Sequence, residues 1–366
     1  MWTRTRITSL LQIQYPILQG PFGGGNSSVT LAAAVSNAGG LGAYGAVNLT
    51  PAEIGQLVAD IAARTSKPFG VNLWLPVAGE DDRQVSATQF DRAVERVRPW
   101  LQDLGVAVPT APPTQYAISF EAQAEALLAA RPAVFSFVMG VPDTAILQEA
   151  KRRGIVCIGT ATTVDEAVAI AEAGADAVVA SGFDAGGHRG SFLRSAERSL
   201  VGTMSLVPQL ASAVGIPVIA AGGIADGRGI AAALALGAEA VQVGTAFLAS
   251  PEAGAPEIHK RMLGTPAARW TRLTRAITGR FARGIENQLM TVLDEHLDDV
   301  LPYPMQHWLT LPLRRAGSVA QRREMLALWA GQNAASARPM PAGELLALLV
   351  TETDAVLRTA RLQPQS

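Results

Sequence analysis

The stretch 217–248 constrains the fold of this chain more than any other part of the sequence. It contains two short apolar runs, 217–221 and 240–243, each of the length of a buried strand. Between them, Asp226 is placed to cap a helix whose apolar residues follow helical spacing, and Gly237 is placed to end that helix. A strand–helix–strand unit of this kind is the building block of a parallel sheet.

Both apolar runs end in glycine. Gly222 and Gly223 follow the first run, and Gly244 and Thr245 follow the second. Glycine lets backbone N–H groups approach an anion closely. In an eight-stranded α/β barrel, the loops after strands seven and eight bind phosphate in this way. The alternative is that these glycines only permit tight turns, but two such turns in succession favour a phosphate site.

Six further strand candidates precede this stretch, and helical patterns separate most of them. They lie at 16–19, 41–44, 69–73, 134–138, 155–158 and 177–180. Eight strands that alternate with helices predict an α/β fold, a (β/α)8 TIM barrel, with a doubly wound sheet as the alternative. Two capping boxes support the helices between them, at 50–53 and 163–166.

The strand–helix alternation stops after residue 250. We therefore expect a barrel formed by residues 1–250 and 325–366, with a small and mostly helical cap at 251–324. A charged segment at 80–113 is interpreted as an insertion that is helical over 87–104. The cap and this insertion are expected to supply the walls of a substrate pocket, with Tyr303 and Trp308 as lining or packing residues.

Composition limits the partners and the compartment. The 30 basic and 31 acidic residues nearly balance, so no electrostatic footprint for nucleic acid is present. No apolar run approaches the roughly 20 residues of a membrane span, and no signal peptide is recognisable. The single cysteine, Cys157, lies in an apolar run and is expected in the core. A cytoplasmic protein is expected.

The loop after strand six, residues 181–190, carries the main candidate for chemistry. His188 stands between glycines at the end of the barrel where active sites are built, and histidine is the natural general base near neutral pH. The alternative is a histidine that only hydrogen-bonds within its loop. Arg189 either steers an anionic substrate or forms a surface ion pair. The other histidines, which lack metal-ligand spacing and are expected at the surface or an interface, are His259, His296 and His307; no metal site is predicted.

The sequence of this loop resembles a known family. Residues 184–190 read Asp-Ala-Gly-Gly-His-Arg-Gly, which is similar to the catalytic loop of the nitronate monooxygenases, formerly called 2-nitropropane dioxygenases. Further matches occur at Asn72, 282–287 and 329–332. The resemblance implies an FMN-dependent TIM barrel in which His188 lies over the flavin and acts as the base or as the group that orients the substrate.

The resemblance also implies which residues contact FMN. They are Gly23, Gly24, Asn72, Ser181, Gly186, Gly187, Gly222, Gly223, Gln242, Val243, Gly244 and Thr245. Two positions depart from the family pattern. Ser181 stands where many members have Gln, and Phe22 stands where Met is common, so the flavin environment is expected to differ at these points.

The implied reaction is the oxidation of small alkyl nitronates by O₂ to a carbonyl compound and nitrite, with neutral nitroalkanes as further candidate substrates. The flavin supplies the redox chemistry and the protein positions the substrate. Two alternatives stay open. One is an NAD(P)H-dependent flavin reductase of the same barrel that acts on quinones or enoyl thioesters, and the other is a non-catalytic barrel that binds FMN or a phosphorylated ligand. The sequence leaves the oligomeric state undetermined.

Overall fold

Eight parallel strands form the centre of the protein. The structure is a computed structural model that describes residues 2–77, 84–113 and 118–362. The barrel strands are β1 (Ile17–Gln19), β2 (Gly42–Gly45), β3 (Phe69–Trp74), β4 (Val134–Val138), β5 (Val156–Ala161), β6 (Ala177–Ser181), β8 (Val218–Ala221) and β9 (Ala240–Val243). They correspond to the eight strands predicted from the sequence.

A helix follows most of the strands, and further helices lie before β1 and after β9. They are α1 (Arg6–Leu11), α2 (Val29–Asn37), α3 (Pro51–Ala62), α4 (Ala87–Asp103), α5 (Phe120–Ala130), α6 (Thr144–Arg152), α7 (Val164–Glu172), α8 (Thr203–Ala213), α9 (Gly227–Ala235), α10 (Thr245–Leu248), α11 (Glu257–Lys260), α12 (Gln288–Asp294), α13 (Met305–Val319) and α14 (Ala342–Leu362). Helix α8, between β6 and β8, was not predicted from the sequence.

The sheet closes on itself. Neighbouring strands pair in the order β1, β9, β8, β6, β5, β4, β3 and β2. Between β1 and β2, Leu18 pairs in parallel with Leu41, and the Leu41 carbonyl accepts a hydrogen bond of 2.9 Å from the Gln19 amide. The expected (β/α)8 TIM barrel is confirmed.

Local signals in the sequence act as predicted at most helix ends. Thr50 and Glu53 form a reciprocal capping box at α3, and the Asp226 carboxylate accepts hydrogen bonds from two backbone amides at the start of α9. Gly237 has φ +98° after α9. The second predicted capping box is wrong in part. Glu166 is fully buried, and its carboxylate binds the Thr162 amide and hydroxyl rather than the cap residue.

A second, three-stranded antiparallel sheet accompanies the barrel, and no pattern in the sequence predicted it. Its strands are β7 (Gly187–His188), β10 (Thr271–Thr274) and β11 (Ala282–Ile285), with β11 in the centre. Strand β7 belongs to the loop after β6. The segment expected as a cap therefore holds two strands among its helices and pairs directly with the histidine loop.

Apolar side chains form separate clusters. The largest fills the space between the barrel and its helices, and it includes Cys157, which is 1% exposed as expected for a core residue. Another cluster joins α4 to α12 and α13, with Val97, Leu289 and Leu313 fully buried. The insertion thus supports α13 from behind. Among the described residues, none of the helices combines the length and the apolar character that a membrane crossing requires.

Candidate active site

A cavity of about 740 Å³ lies at the carboxyl ends of the barrel strands. Every barrel strand contributes to its lining, either with a residue of the strand or with the residue that follows it. These residues include Gly20, Gly45, Asn72, Met139, Thr160, Ser181, Gly222 and Gly244. Active sites of eight-stranded α/β barrels occupy this end. The cavity is therefore the candidate active site.

One face of α13 covers the cavity. Its lining residues follow helical spacing and are His307, Leu311, Arg314, Arg315 and Ser318. Tyr303, just before the helix, also lines the cavity, as expected. Trp308 lies on another face, where its ring centroid is 6.4 Å from that of Phe90. The described residues 84–113 are absent from the lining, so the insertion walls the pocket only indirectly; residues 80–83 lie outside the described residues.

The cavity brings together the residues predicted to contact FMN, with one exception. Its lining includes Gly23, Gly24, Asn72, Ser181, Gly186, Gly187, Gly222, Gly223, Gln242, Gly244 and Thr245. Val243 has no exposed surface and packs in the apolar cluster between the barrel and its helices. Phe22, at the second departure from the family pattern, lies in the lining beside Gly23.

The glycines at the end of β8 have a backbone that only glycine adopts readily. Gly222 has φ +116° and Gly223 has φ +71°, and Gly24, in the loop after β1, has φ +67°. A Cβ on Gly24 would meet no atom within 4 Å, and one on Gly223 would meet only the Cβ of Asp184, at 3.5 Å. Both glycines line the cavity, and open space lies next to each of them. The chain leaves space here for a ligand that approaches the backbone closely.

The stretch 329–333 braces both glycine turns. The Asn333 side chain donates a hydrogen bond of 3.0 Å to the Gly223 carbonyl, and the Gly331 amide donates one of 3.0 Å to the Thr245 hydroxyl. A Cβ on Gly186 would lie 2.5 Å from the Gly331 nitrogen. The match at 329–332 therefore has a structural reason, because these residues hold the histidine loop and the two turns together.

Asp184, the first residue of the histidine motif, also helps to hold the histidine loop in place. Its carboxylate accepts hydrogen bonds from the Thr203 amide, at 2.7 Å, and from the Thr203 hydroxyl, at 2.8 Å. Its carbonyl accepts one of 2.9 Å from the Gln332 amide. The motif thus combines a residue that fixes the loop with a histidine that reaches the cavity.

His188 lies in an aromatic enclosure within the cavity. Its ring meets those of Trp74, Trp329 and Tyr303 edge to face, with centroids at 5.0, 5.5 and 6.1 Å. Its backbone pairs with Ala282 of β11. The Nε2 atom is 2.9 Å from the Thr278 hydroxyl oxygen. The position of His188 is therefore fixed at its backbone by Ala282 and at its ring by Thr278.

The surroundings keep His188 uncharged. Burial is the main cause that holds its pKa well below 6.5, and the positive charge of Arg280 is the next. His307 and Arg314 lower the pKa further. At neutral pH the ring is neutral, so it carries one N–H and one lone pair that can accept a proton.

Arg189 has neither of the roles expected from the sequence. It is 2% exposed, and its guanidinium donates hydrogen bonds of 2.7 Å to the Gly182 carbonyl and 3.0 Å to the Ser181 carbonyl. Burial lowers its pKa to about 10, so it keeps its charge at neutral pH. Arg189 ties the histidine loop to the end of β6. A loop sequence alone does not distinguish this role from a surface position.

Two of the cap histidines were wrongly expected at the surface or an interface, since both line the cavity. His259 is 2% exposed, its Nε2 lies 3.1 Å from the Trp329 carbonyl, and burial lowers its pKa to about 4. Burial, with Arg314 and Arg315 as further causes, lowers the pKa of His307 to about 3. His307 shares a helix face with the other lining residues of α13, and this helical spacing can be seen in the sequence. The sequence does not show, however, that this face points into the cavity.

Arg314 brings positive charge to the cavity. Its guanidinium hydrogen-bonds to His307 Nδ1, at 3.3 Å, to the His307 carbonyl, at 3.3 Å, and to the Thr310 hydroxyl, at 3.3 Å. No carboxylate in the described parts of the chain pairs with it. Burial lowers its pKa to about 10, which leaves it charged at neutral pH. The cavity is therefore suited to an anion.

Comparison with known proteins gives consistent results. The family model described as nitronate monooxygenase matches residues 4–352. A probable nitronate monooxygenase of Staphylococcus aureus (strain MRSA252) is 36% identical over 359 residues, which cover 98% of this chain and 99% of the relative. The structure of nitroalkane oxidase from Streptomyces ansochromogenes is 41% identical, with a TM-score of 0.86, and the match covers 97% of this chain and 99% of that one.

A second solved structure is also similar along the whole chain. FabK from Thermotoga maritima is 32% identical, with a TM-score of 0.76 and 98% of each chain covered. This chain is an oxidoreductase that belongs to the nitronate monooxygenase family.

Proposed function

We propose that this protein binds FMN in the cavity and uses O₂ to oxidise small alkyl nitronates to a carbonyl compound and nitrite. The observation that carries the proposal is the composition of one continuous cavity. It holds a neutral histidine in an aromatic enclosure, glycine turns with a left-handed backbone, and an arginine without an acidic partner among the described residues.

The glycine turns support the flavin phosphate site. Gly222, Gly223 and Gly244 end neighbouring strands, and the positive φ angles at the first two present the backbone to the cavity. Space that a Cβ would fill lies at Gly24 and Gly223. Family membership supports a flavin, and this backbone fits a phosphate-bearing one. The FMN contacts proposed are Gly23, Gly24, Asn72, Ser181, Gly186, Gly187, Gly222, Gly223, Gln242, Gly244 and Thr245. Val243, which has no exposed surface, is left out of this set.

A flavin held by these residues would supply the redox chemistry between the substrate and O₂. The chain supplies the rest. His188 accepts a proton from a neutral nitroalkane or holds a nitronate in place, and the rings of Trp74 and Trp329 keep water away from that point. Arg314 stabilises the negative charge that a nitronate brings into the cavity.

We also propose a division into two units. Residues 1–250 and 325–366 form the flavin-binding barrel, and residues 251–324 form a cap that contributes the substrate-facing wall. The apolar cluster that joins α12 and α13 supports this division, as does the row of α13 residues in the lining. The start of the segment is less separate, because Ile258 and Leu263 pack in the main cluster.

The likeness to FabK favours a second candidate, a flavin-dependent reductase that takes electrons from NAD(P)H. Anaerobic mixing of the purified, flavin-loaded protein with each electron donor separates the two. We expect ethyl nitronate to bleach the flavin absorbance rapidly and NADH to bleach it slowly. Rapid bleaching by NADH with none by the nitronate would contradict the proposed function and support the reductase.

A further inference from the structure

Thr278 is the hydrogen-bond partner of the His188 ring. It is 1% exposed and belongs to the connection between β10 and β11. Its hydroxyl oxygen is 2.9 Å from Nε2 of His188 and 3.1 Å from the carbonyl oxygen of Arg280. The nitronate chemistry proposed above assigns no role to this hydroxyl.

The two contacts determine where the protons lie. A carbonyl oxygen has no hydrogen to donate, whereas a hydroxyl has one. The Thr278 hydrogen is therefore donated to the Arg280 carbonyl, and the Thr278 oxygen accepts from His188 Nε2–H. If Thr278 donated to Nε2 instead, two oxygens 3.1 Å apart would face each other with no hydrogen between them.

A neutral imidazole carries a single N–H, and burial among positive charges keeps this ring neutral. With the hydrogen on Nε2, the lone pair lies on Nδ1. Among the described residues, no hydrogen bond is made to Nδ1. The Nδ1 lone pair is therefore not engaged by these residues and can accept a proton, whereas the single N–H of the ring is already donated to Thr278.

Helix α13 holds Thr278 in position through the backbone of the residues before it. The Gln306 side chain donates a hydrogen bond of 2.8 Å to the Ala276 carbonyl, and the Thr310 hydroxyl donates one of 2.7 Å to the Ile277 carbonyl. Ala276 and Ile277 are fully buried. The hydroxyl is thus fixed by the same helix that lines the cavity.

We infer that Thr278 is a positioning residue that selects the Nε2–H tautomer of His188 and so prepares Nδ1 to accept a proton. The inference rests on the proposed function, because it supposes a substrate with an acidic C–H. In that step the C–H bond of a neutral nitroalkane breaks, the proton goes to Nδ1, and the electron pair stays on the substrate as a nitronate. The Thr278 oxygen continues to accept from Nε2–H when the ring becomes positively charged.

The test is the tautomer itself. Flavin-loaded protein labelled with ¹⁵N-histidine is measured by NMR at pH 7.5, and the His188→Asn variant identifies the signals of His188. We expect a pyrrole-type Nε2 and a pyridine-type Nδ1 in the wild type and in Thr278→Ser, and a loss of that preference in the isosteric Thr278→Val variant. A hydrogen on Nδ1 in the wild type, or a doubly protonated ring, would overturn the inference.

Kinetics gives a second readout that a merely structural role would not reproduce. For Thr278→Val we expect kcat/KM for nitroethane to fall about tenfold, which is less than the roughly 10²- to 10⁴-fold that loss of the whole general base costs. The loss on ethyl nitronate should be smaller. Thr278→Ser should restore the nitroethane rate. Equal losses on both substrates would contradict the inference. A wild-type Nε2–H tautomer in a protein that does not oxidise nitronates would instead contradict only the proposed function.

Discussion

His188 pairs with Ala282 across the short antiparallel ladder between β7 and β11. The histidine loop is thereby a strand of the sheet that belongs to the segment 251–324. The Arg189 amide extends the pairing with a hydrogen bond of 2.8 Å to the Phe281 carbonyl. Because the backbone of His188 is fixed from this side and its ring from Thr278, the imidazole has a defined position over the cavity.

Removal of the imidazole is expected to affect two substrates unequally. In His188→Asn, kcat/KM for nitroethane should fall by about 10²- to 10⁴-fold, because a general base contributes about that much to proton transfer. Ethyl nitronate has already lost this proton, so its oxidation should suffer less. Steady-state assays of both substrates check the prediction.

The matched control for this comparison is His296→Asn, which changes a cap histidine outside the cavity lining. It should leave both rates unchanged. Equal losses on the two substrates in His188→Asn would reduce His188 to an orienting group. No loss on either substrate would remove it from the mechanism.

A methyl group at the proposed phosphate site should exclude the flavin. The φ of +71° at Gly223 would strain valine in the backbone as well as in the cavity, so Gly223→Ala is the sharper variant. We expect it to fold and to be purified with little flavin. The ratio of flavin to protein absorbance measures this.

Gly154→Ala is the control for backbone strain. Gly154 has φ +74°, and a Cβ there would meet nothing within 4 Å. The alanine therefore costs the same backbone strain of about 1–2 kcal/mol, but it lies outside the cavity lining. This variant should keep its flavin. If both variants retained flavin equally, the glycine at 223 would be needed only for its turn.

Loss of the positive charge at Arg314 should weaken the binding of anionic substrates. A hydrogen bond to a charged group contributes about 1.5–3 kcal/mol, so Arg314→Gln is expected to lower kcat/KM for ethyl nitronate by about tenfold or more. A neutral nitroalkane should be affected less. Arg98→Gln, at an exposed pair with Glu95 on α4, is the control. Equal effects on charged and neutral substrates would show that Arg314 acts through packing alone.

The lowered pKa of the buried His259 should make the stability of the protein depend on pH. Its folded-state pKa of about 4 lies below the ordinary 6.5, so between these values the unfolded chain binds a proton that the folded chain does not. The contribution of His259 to the free energy of unfolding is therefore fully present above pH 6.5 and is lost as the pH falls toward 4. The total effect is about 3 kcal/mol, at 1.36 kcal/mol per pKa unit.

Urea unfolding at pH 7 and pH 5 measures this effect. His259→Gln keeps an N–H for the Trp329 carbonyl but does not titrate, so its stability should fall less between the two pH values than that of the wild type. An identical fall in both proteins would show that other groups cause the pH dependence.

The barrel could be predicted because its signals are local. The caps at Thr50 and Asp226, the stop at Gly237 and the apolar runs of the strands each depend on a few consecutive residues. The gathering of the glycines at one end of the barrel then follows from the parallel topology. His188 could be predicted for the same reason, since its loop directly follows a strand.

The parts that the sequence did not reveal depend on distant packing. Strand β11 pairs with β7 across nearly a hundred residues, and neither strand has a pattern of its own. The face of α13 that points inward is decided by the apolar cluster with α4, so the burial of His307 could not be read from its neighbours in the sequence. The capping box at Glu166 was wrongly predicted for a similar reason. The Glu166 carboxylate accepts a hydrogen bond from the Phe192 amide, which lies in a loop 26 residues away in the sequence.

The central claim is that this cavity oxidises nitronates with O₂. The direct measurement is simultaneous detection of O₂ consumption and nitrite release when the purified, flavin-loaded protein turns over ethyl nitronate. We predict that both signals appear together without any added NADH or NADPH, and that both fall in His188→Asn. A wild-type protein that releases no nitrite, or that consumes O₂ only when a nicotinamide donor is present, would contradict the claim.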